Sequence, residues 1–170
     1  IDEADSVLID EAVTPAIIAQ PKPGADQSAR HYVLAAELAR GFQRDVDYTA
    51  DLRLRHITLT DAGRQRLESL ASGLPAFWAG PRRREELMRQ ALSAKELYLR
   101  GVDYIVDDKG EVLIVDRSTG RVLPGRQWQL GLHQAVEAKE GVAIQAENQV
   151  AARTSYQGFF QRYRRIAGMT

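Results

Sequence analysis

The chain has 170 residues, 44% of them hydrophobic, which is enough to build the packed core of one or two domains. Its 23 basic and 23 acidic residues balance, which argues against a dedicated nucleic-acid-binding protein, because such proteins usually carry a basic excess. The lack of cysteine excludes disulfides and thiolate metal sites and fits a reducing compartment. No apolar run approaches the roughly 20 residues that a membrane-spanning helix needs, and the acidic start is unlike a secretory signal.

The first notable motif is the acidic tetrad Asp2-Glu3-Ala4-Asp5, which is typical of ATP-driven motors. An ATP site also needs a glycine-rich loop ending in Lys-Ser or Lys-Thr to cradle the phosphates, and the sequence has no such loop. We therefore expect half of a nucleotide site at the edge of this chain and no ATP hydrolysis by the chain alone. Together with the missing initiator Met, this suggests a piece of a longer protein.

The first half of the chain predicts two helices and one hairpin. Apolar residues at helical spacing predict a helix over residues 28–42. Alternating residues at 46–49 and 56–59 predict paired strands, after which Thr60 or Asp61 can begin a helix that runs to about residue 71. Glycines and prolines then predict a loop over residues 72–82.

The second half predicts a further hairpin among three helices. A long helix is expected over residues 84–100, ended by Gly101. The segment 103–116 is the clearest hairpin, because apolar strands flank a turn in which Gly110 can adopt a positive φ. Helices are also expected at 130–140, with Gly141 as the C-cap, and at 155–167. We find no internal repeat, and mixed hairpins and helices without repeated βαβ units predict an α+β fold.

Three segments carry a family resemblance: DEADSVLIDEAVTP, then VDYIVDDKGEVLIVDRSTGRVLPGRQWQLGLHQAVEAKEGVAIQAENQ, then YQGFFQRYRRIAGMT. In this order they resemble SecA, the ATPase motor family of bacterial protein export. In that family a preprotein cross-linking domain is inserted into the first nucleotide-binding domain. The resemblance implies that residues 1–15 are the edge of the nucleotide-binding domain, that 16–146 are the inserted domain with its stalk strands, and that 147–170 return to the nucleotide-binding domain.

The resemblance also implies roles for the acidic tetrad in the parent protein. Asp2 would hold Mg²⁺ through water, and Glu3 would polarise the water that attacks ATP. ATP and Mg²⁺ are thus cofactors of the parent, and none is expected bound to this piece. An alternative for the piece itself is a solvated acidic chain end.

The resemblance further implies a two-stranded antiparallel stalk made of residues 16–20 and 142–146. An extended polypeptide can add to the edge of such a stalk through main-chain hydrogen bonds, whatever its side chains. A purely mechanical hinge is the alternative. The polypeptide-binding residues implied in this way are Ala16, Ile17, Ile18, Ala19, Val142, Ala143, Ile144 and Gln145.

Several positions depart from the pattern of the family. Val13 stands where Arg is usual, Arg117 where an acidic residue is usual, and Gln127 where Arg is usual. Gln129 and Leu130 replace Ser-Asp. These departures leave open a SecA-derived interaction module that has lost transport.

Other residues have two interpretations each. Arg82, Arg83 and Arg84 are expected to be a solvated helix start rather than an anion site, and His133 to be structural rather than a metal ligand. The pair Phe77-Trp78 is either exposed and binds a partner or is buried under its loop. In the hairpin, the core-facing side chains are expected to be Ile105, Leu113 and Val115.

The function that these observations favour is binding of unfolded preprotein within a SecA-type motor. Implied partners are the preprotein, the translocon channel and other domains of the parent, with no nucleic acid, and the implied location is cytoplasmic and peripheral at the bacterial inner membrane. An accessory domain of a DEAD-type nucleic-acid helicase remains an alternative, since many helicases share the tetrad.

Overall fold

The computed structural model describes residues 1–21, 25–146 and 148–170, and for residues 19, 21, 25–27, 148 and 149 it describes the backbone only. Contacts divide these residues into two compact units. The first unit holds the described residues up to 21 and from 148 onward, and the second holds those from 25 to 146. Within the described ranges, every helix is too short or too polar to cross a membrane.

The first unit is built on a two-stranded antiparallel ribbon. Strand β1 (Pro15–Pro21) pairs with β7 (Asn148–Ser155). A π-helical turn, Ser6–Asp10, precedes β1, and a short helix, α5 (Tyr156–Phe160), follows β7. The two chain ends also meet, because the Ala4 amide donates to the Met169 carbonyl at 2.9 Å.

The structure confirms a two-stranded antiparallel sheet but corrects the second strand of the predicted stalk. Residues 142–146 are not a strand, and β1 pairs instead with Asn148–Ser155. The physical reason is that the second unit uses the predicted segment: Val142 and Ile144 pack against its core, and the Gln145 amide is bound by Glu137.

The last predicted helix is also shorter than expected. It ends at Phe160 rather than at residue 167, and residues 161–170 are all exposed. A helix of this length is marginal without a packed apolar face, so the exposed residues do not prolong it.

The second unit consists of four helices, three strand pairings and two short 3₁₀ turns among the described residues, which confirms the α+β class. The helices are α1 (Ala25–Gly41), α2 (Asp61–Leu70), α3 (Pro81–Leu97) and α4 (Leu132–Glu140). The strands are β2 (Tyr48–Asp51), β3 (His56–Leu59), β4 (Tyr104–Val106), β5 (Val112–Val115) and β6 (Val122–Leu123). β2 pairs with β3, and the other three form an antiparallel sheet in the order β4-β5-β6. The 3₁₀ turns are Ala71–Gly73 and Ala76–Trp78.

Local signals explain most of the helix boundaries. Thr60 caps α2, because its hydroxyl accepts from the Gly63 amide at 3.0 Å. Gly141 caps α4 in the left-handed conformation, as predicted. The end of α3 was predicted wrongly: the helix stops at Leu97 and Tyr98 is extended, while Gly101 (φ 82°) serves a separate turn.

The core of the second unit lies where α1, α3 and α4 pack on one another and on the hairpins. Its fully buried side chains are mainly aromatic and aliphatic. The largest of them are Trp78, Tyr48, Tyr104, Ile57, Leu67, Met88, Leu92 and Val136.

In the β4–β5 hairpin, the predicted core face is wrong. Tyr104 and Val112 are buried, whereas Ile105 is 37% exposed and pairs with Leu113, which is only half-buried, as is Val115. Side chains of successive strand residues point to opposite faces of the sheet. Choosing the wrong face therefore exchanges the residues that are expected to be buried with those that are expected to be exposed.

The structure also shows a repeated helix–turn–hairpin motif, although no internal repeat was expected. In the first copy α1 leads through Asp47 and Tyr48 into β2–β3, and in the second α3 leads through Asp103 and Tyr104 into β4–β5. Asp47 Oδ2 accepts from the Gln43 amide at 2.8 Å, and Asp103 Oδ2 accepts from the Leu99 amide at the same distance.

In each copy, consecutive Lys and Glu residues of the following helix make hydrogen bonds to the motif. Tyr48 donates to Glu96 at 2.7 Å, and Tyr104 donates to Glu140 at 2.6 Å. Lys95 donates to the Ala39 and Phe42 carbonyls at the end of α1, just as Lys139 donates to the Ala94 and Tyr98 carbonyls at the end of α3. Cationic donors at these positions satisfy terminal carbonyls and complement the helix dipole.

Candidate functional site

The β1–β7 ribbon is the candidate site in the first unit. Its register runs from Pro15 opposite Ser155 to Pro21 opposite Asn148, with one irregularity between Ile18 and Ala19. At that point the partner changes from Ala152 to Val150, which leaves one extra residue, Ala151, in β7. Such a bulge bends the ribbon and increases its local twist.

The ribbon exposes apolar side chains on an open surface. Ile17 is 53% exposed, Ile18 65% and Val150 59%. Ile17 and Ile18 are successive strand residues, so they point to opposite faces and both faces carry exposed apolar surface. Among the described strands, β1 and β7 pair only with each other, and each therefore has an outer edge of unpaired main-chain groups.

Two prolines limit the edge of β1. Pro15 and Pro21 lie at its two ends and lack an N–H, so the donors on its outer edge come from alternate residues within 16–20. Strand β7 contains no proline over its eight residues. The outer edge of β1 is thus short and has a proline at each end, whereas the outer edge of β7 is longer and contains no proline.

The first unit anchors the base of the ribbon. The Thr14 amide donates to the Glu11 carbonyl at 2.8 Å, which turns the chain into β1. At the end of β7, the Ser155 hydroxyl accepts from the Gly158 amide at 3.0 Å and begins α5. The Gln157 amide reaches back to the Ala12 carbonyl at 2.9 Å, so both strands are tied to the same base.

The structure places the predicted polypeptide-binding residues in two different units. Ala16, Ile17, Ile18 and the backbone of Ala19 lie on β1, whereas residues 142–145 belong to the second unit. Val142 and Ile144 are partly buried against the core there, and Ala143 is exposed. Polypeptide binding by any of these residues stays a prediction.

Sequence reasoning missed the residues of β7. No local signal marks them, because the pairing of β7 with β1 is made by main-chain hydrogen bonds between distant segments.

Gln145 is held by polar groups of the second unit. Its amide donates to Glu137 Oε2 at 2.9 Å, its carbonyl accepts from Gln134 at 3.3 Å, and its side chain accepts from Gln127 at 2.6 Å. The segment after α4 is thereby fixed to that helix rather than free to pair as a strand.

Glu137 and His133 form a buried pair beneath Gln145. Both side chains are almost completely buried, and Glu137 Oε1 lies 3.5 Å from His133 Nε2. Burial raises the pKa of Glu137 to about 7, although the Gln145 amide acts in the opposite direction, and burial lowers the pKa of His133. The distance would permit an ion pair, but both pKa shifts favour the uncharged forms, as expected where desolvation outweighs attraction. His133 is therefore a core residue, as the sequence predicts.

Asp2 and Glu3 lie exposed at the beginning of the first unit. The Glu3 amide donates to Asp2 Oδ1 at 3.2 Å, and Glu3 adopts a left-handed φ of 51°. In the described part of the chain, no group of three or more His, Cys, Asp or Glu side chains could hold a metal ion. These two residues do not fit a complete Mg²⁺–ATP site on their own, and their roles in ATP hydrolysis stay predictions for a longer protein.

The basic run at the start of α3 is only partly solvated, which corrects the expectation for one residue. Arg84 is 7% exposed and donates to the Trp78 carbonyl at 3.2 Å. Trp78 is completely buried and donates to His31 Nδ1 at 3.2 Å, while Phe77 stacks on the His31 ring at 3.8 Å. For Trp78 the buried alternative is thus the correct one.

The residues that depart from the family pattern have defined places. Val13 is 79% exposed in the turn before β1. Arg117 binds the buried carboxylate of Asp103, and Gln127 binds Gln145. Gln129 and Leu130 line a cavity beside α3.

Comparison with known proteins identifies the chain. A model of the SecA preprotein cross-linking domain matches residues 27–137. Over its full length the chain is 47% identical to the protein translocase subunit SecA of Anaeromyxobacter sp. (strain Fw109-5) and covers 18% of that protein. It is 46% identical to the chloroplastic protein translocase subunit SecA of Pisum sativum and to protein translocase subunit SecA 1 of Thermobifida fusca (strain YX), covering 16% and 17% of them.

The chain thus spans less than a fifth of the length of these curated relatives. The family model nevertheless matches well over half of the chain, and the relatives align with all of it. The chain therefore belongs to the SecA family and contains its preprotein cross-linking domain.

Proposed function

We propose that this chain is the preprotein-binding part of a SecA-type protein translocation motor and that the β1–β7 ribbon binds the client. The longer protein would hydrolyse ATP with Mg²⁺, would work with the translocon channel and would be cytoplasmic and peripheral at the membrane. Membership of the SecA family supports this role. The observation that carries the proposal for the ribbon is that, among the strands that the structure describes, β1 and β7 pair only with each other, and their outer edges lie beside exposed Ile17, Ile18 and Val150.

Strand addition suits a client of variable sequence. An extended segment that pairs with an outer edge uses main-chain donors and acceptors, which every residue except proline supplies. The exposed isoleucines and Val150 would add a mild preference for apolar side chains. Ordering a flexible client has an entropic cost, so we expect weak binding by this chain alone.

Hydrogen exchange tests the mode of binding. In an antiparallel ribbon the amides along each strand alternate between those bonded to the partner and those facing outward. Addition of an unfolded preprotein segment should slow exchange of alternate amides along β1 or β7. Protection of both sets alike, or of none while the segment is bound elsewhere, would rule out strand addition.

Side-chain variants test the apolar preference. The double variant Ile17→Thr and Ile18→Thr retains β-branched residues but reduces the exposed apolar surface, so affinity for the segment should fall. Leu54→Thr is the matched control, because Leu54 is 78% exposed in the β2–β3 turn of the second unit. If the control weakens binding as much as the ribbon variant, the ribbon is not the site.

A further inference from the structure

The segment that follows α4, residues 142–146, is held on that helix by hydrogen bonds that converge on Gln145. The Gln145 amide donates to Glu137 Oε2 at 2.9 Å, and its carbonyl accepts from the Gln134 side chain at 3.3 Å. The Gln145 side chain accepts from Gln127 at 2.6 Å. One residue thus fixes the docked segment through its donor, its acceptor and its side chain.

The apolar contacts of the docked segment are incomplete. Val142 and Ile144 pack against the core but are only partly buried, and Ala143 is exposed. Apolar burial stabilises in proportion to the area that is removed from water, so these side chains contribute less than fully buried ones. Docking therefore depends strongly on the hydrogen bonds to Gln145, and Glu137 accepts the one from its amide.

Glu137 has too few partners to hold a negative charge at this place. Its side chain is 0% exposed, and an ionised carboxylate offers about four acceptor sites. Oε2 accepts from the Gln145 amide, but Oε1 has no hydrogen-bond partner among the described residues. A buried carboxylate stays ionised where several N–H groups or a cation bind it. With one donor, the carboxyl group is more stable when it is buried with its proton.

The neighbouring side chains supply no charge that would change this. His133 Nε2 lies 3.5 Å from Glu137 Oε1, but burial lowers the pKa of His133 and keeps it neutral. Three elements pack on α4, namely α1, α3 and β5, and β5 contains no charged residue. On α4 itself, Lys139 and Glu140 bind the end of α3 and Tyr104.

On α1 and α3, the described side chains that carry or can gain a charge near neutral pH are exposed or bound to other groups. The exposed ones are Arg30, Glu37, Arg40, Arg82, Arg83, Glu86 and Arg89, and those bound elsewhere are His31, Arg84, Glu85, Lys95 and Glu96. Burial and the Gln145 amide are accordingly the two causes that act on the pKa of Glu137.

We propose that Glu137 is a proton-controlled latch: while its carboxyl group keeps the proton, residues 142–146 stay docked on α4, and loss of that proton to solvent releases them. Release exposes the carboxylate to water, which solvates the charge that the docked site does not. Because these residues lead from α4 towards β7 along the chain, their release loosens the connection between the two units. Client binding at the ribbon and the latch depend on different residues, so either can fail while the other stands.

The pKa of Glu137 gives the direction of the pH dependence. Burial raises it from the ordinary 4.5 to about 7 in the docked state, and solvation of the released carboxyl group returns it towards 4.5. The docked state therefore binds the proton more tightly, and docking weakens as pH rises through 7. These pKa values correspond to a docking equilibrium constant that falls about tenfold between about pH 6 and pH 8.

Residue-resolved hydrogen exchange of the unmodified chain tests the latch. The ratio of the intrinsic to the measured exchange rate at each pH gives a protection factor, which removes the pH dependence of the exchange chemistry. The protection factor of the Gln145 amide should fall about tenfold from about pH 6 to pH 8 and stay below that of the Leu92 amide in the core. Equal protection of Gln145 and Leu92 would show that the segment opens only when the unit unfolds, and would overturn the proposal.

Variants assign the pH dependence to Glu137. Glu137→Gln keeps an acceptor for the Gln145 amide but has no proton to lose, so its protection factor at Gln145 should not change over this pH range. Glu86→Gln, at an exposed position, should keep the tenfold fall. Gln134→Leu removes a bond that does not titrate, so it should lower protection about 3- to 10-fold at every pH and keep the fall. A fall that persists in Glu137→Gln would overturn the latch.

The ring ¹⁵N signals of His133 locate the proton. They should report a neutral imidazole throughout the same pH range, since burial lowers the pKa of His133. A His133 ring that is protonated at about pH 6 and loses its proton together with the protection of Gln145 would instead indicate an ion pair with Glu137. That result would place the controlling proton on His133 and overturn the proposal.

Discussion

Arg117 and Asp103 form a bidentate pair in which Arg117 Nε lies 2.7 Å from Asp103 Oδ1 and Nη2 lies 3.0 Å from Oδ2. Asp103 is 3% exposed, and Arg55 approaches the same carboxylate from the first hairpin. Burial alone raises the pKa of Asp103, but the hydrogen bonds from Arg117 and the Leu99 amide, with the charge of Arg55, reverse the shift and lower it. One carboxylate thus joins both hairpins of the second unit.

The first prediction concerns this carboxylate. Asp103→Asn should reduce the free energy of unfolding by about 3 kcal/mol, because it leaves two guanidinium groups facing each other without a counter-charge. Arg117→Ala should lower the urea midpoint less, since Arg55 still compensates Asp103. Arg126→Ala, at an exposed position, is the control. An Arg117 variant no less stable than the Arg126 variant would show that the bidentate pair adds nothing.

The second prediction concerns the pH dependence that Glu137 confers. Its pKa is about 7 in the folded chain, compared with an ordinary value of 4.5, so the folded state binds more protons between these values. Stability from this group is fully present below about pH 4.5 and is lost as pH rises through 7. The free energy of unfolding of Glu137→Gln, relative to that of the unmodified chain, should therefore rise by about 3 kcal/mol as the pH increases from 4 to 8.

Urea unfolding at several pH values checks this prediction. The lowered pKa of His133 acts in the opposite sense, since that residue favours unfolding on acidification. Glu86→Gln, at an exposed position, is the control. If the free energies of unfolding of the unmodified chain and of Glu137→Gln differ by the same amount at every pH, that result would contradict the raised pKa of Glu137.

The third prediction uses two glycines. A Cβ added at Gly63 would lie 1.9 Å from the Asp47 carbonyl oxygen, whereas one added at Gly73 would meet no atom within 4 Å. Gly63→Ala should reduce stability by about 1–3 kcal/mol through overpacking against the backbone. Gly73→Ala should be neutral or slightly stabilising, because it only restricts the unfolded chain. Equal melting temperatures for the two variants would show that α2 shifts freely away from Asp47.

The fourth prediction tests the repeated motif. Tyr48→Phe and Tyr104→Phe each remove one hydrogen bond from a buried hydroxyl to a glutamate, and each should cost about 1.5–3 kcal/mol. Tyr163→Phe, at a residue that is 56% exposed in the first unit, should have no effect. The two losses should be similar and nearly additive, since the sites share no partner. A loss at only one tyrosine would contradict the structural equivalence of the copies.

The sequence predicted those elements whose ends have local causes. Thr60 and Gly141 have capping chemistry that acts within a few residues, and both helix ends were found where these residues predicted them. The hairpin around Gly110 was likewise set by its turn. The buried face of that hairpin was not predicted correctly, because both faces of β5 carry apolar residues. Tyr104 and Val112 are the buried ones because α4 packs on their side of the hairpin.

Local sequence patterns did not predict the features that join distant parts of the chain. The register that pairs Ile18 with Ala152 depends on main-chain hydrogen bonds, which carry no side-chain code. The repeated motif left only two short traces, Val-Asp-Tyr at 46–48 and 102–104 and Ala-Lys-Glu at 94–96 and 138–140. The cavity beside α3 exists only once β3, α3 and the loop at Leu130 have come together.

The pairing of β1 with β7 also has a consequence for folding order. Most of the chain lies between the two strands, so forming the ribbon first would close a very long loop at an entropic cost that grows with its length. Contacts of such large sequence separation are slow to form, whereas the hairpins of the second unit are local and its helices pack over shorter sequence separations than the two strands. We therefore expect the second unit to gain its structure early and the ribbon to close last, so that mutations in β1 accelerate unfolding far more than they slow folding.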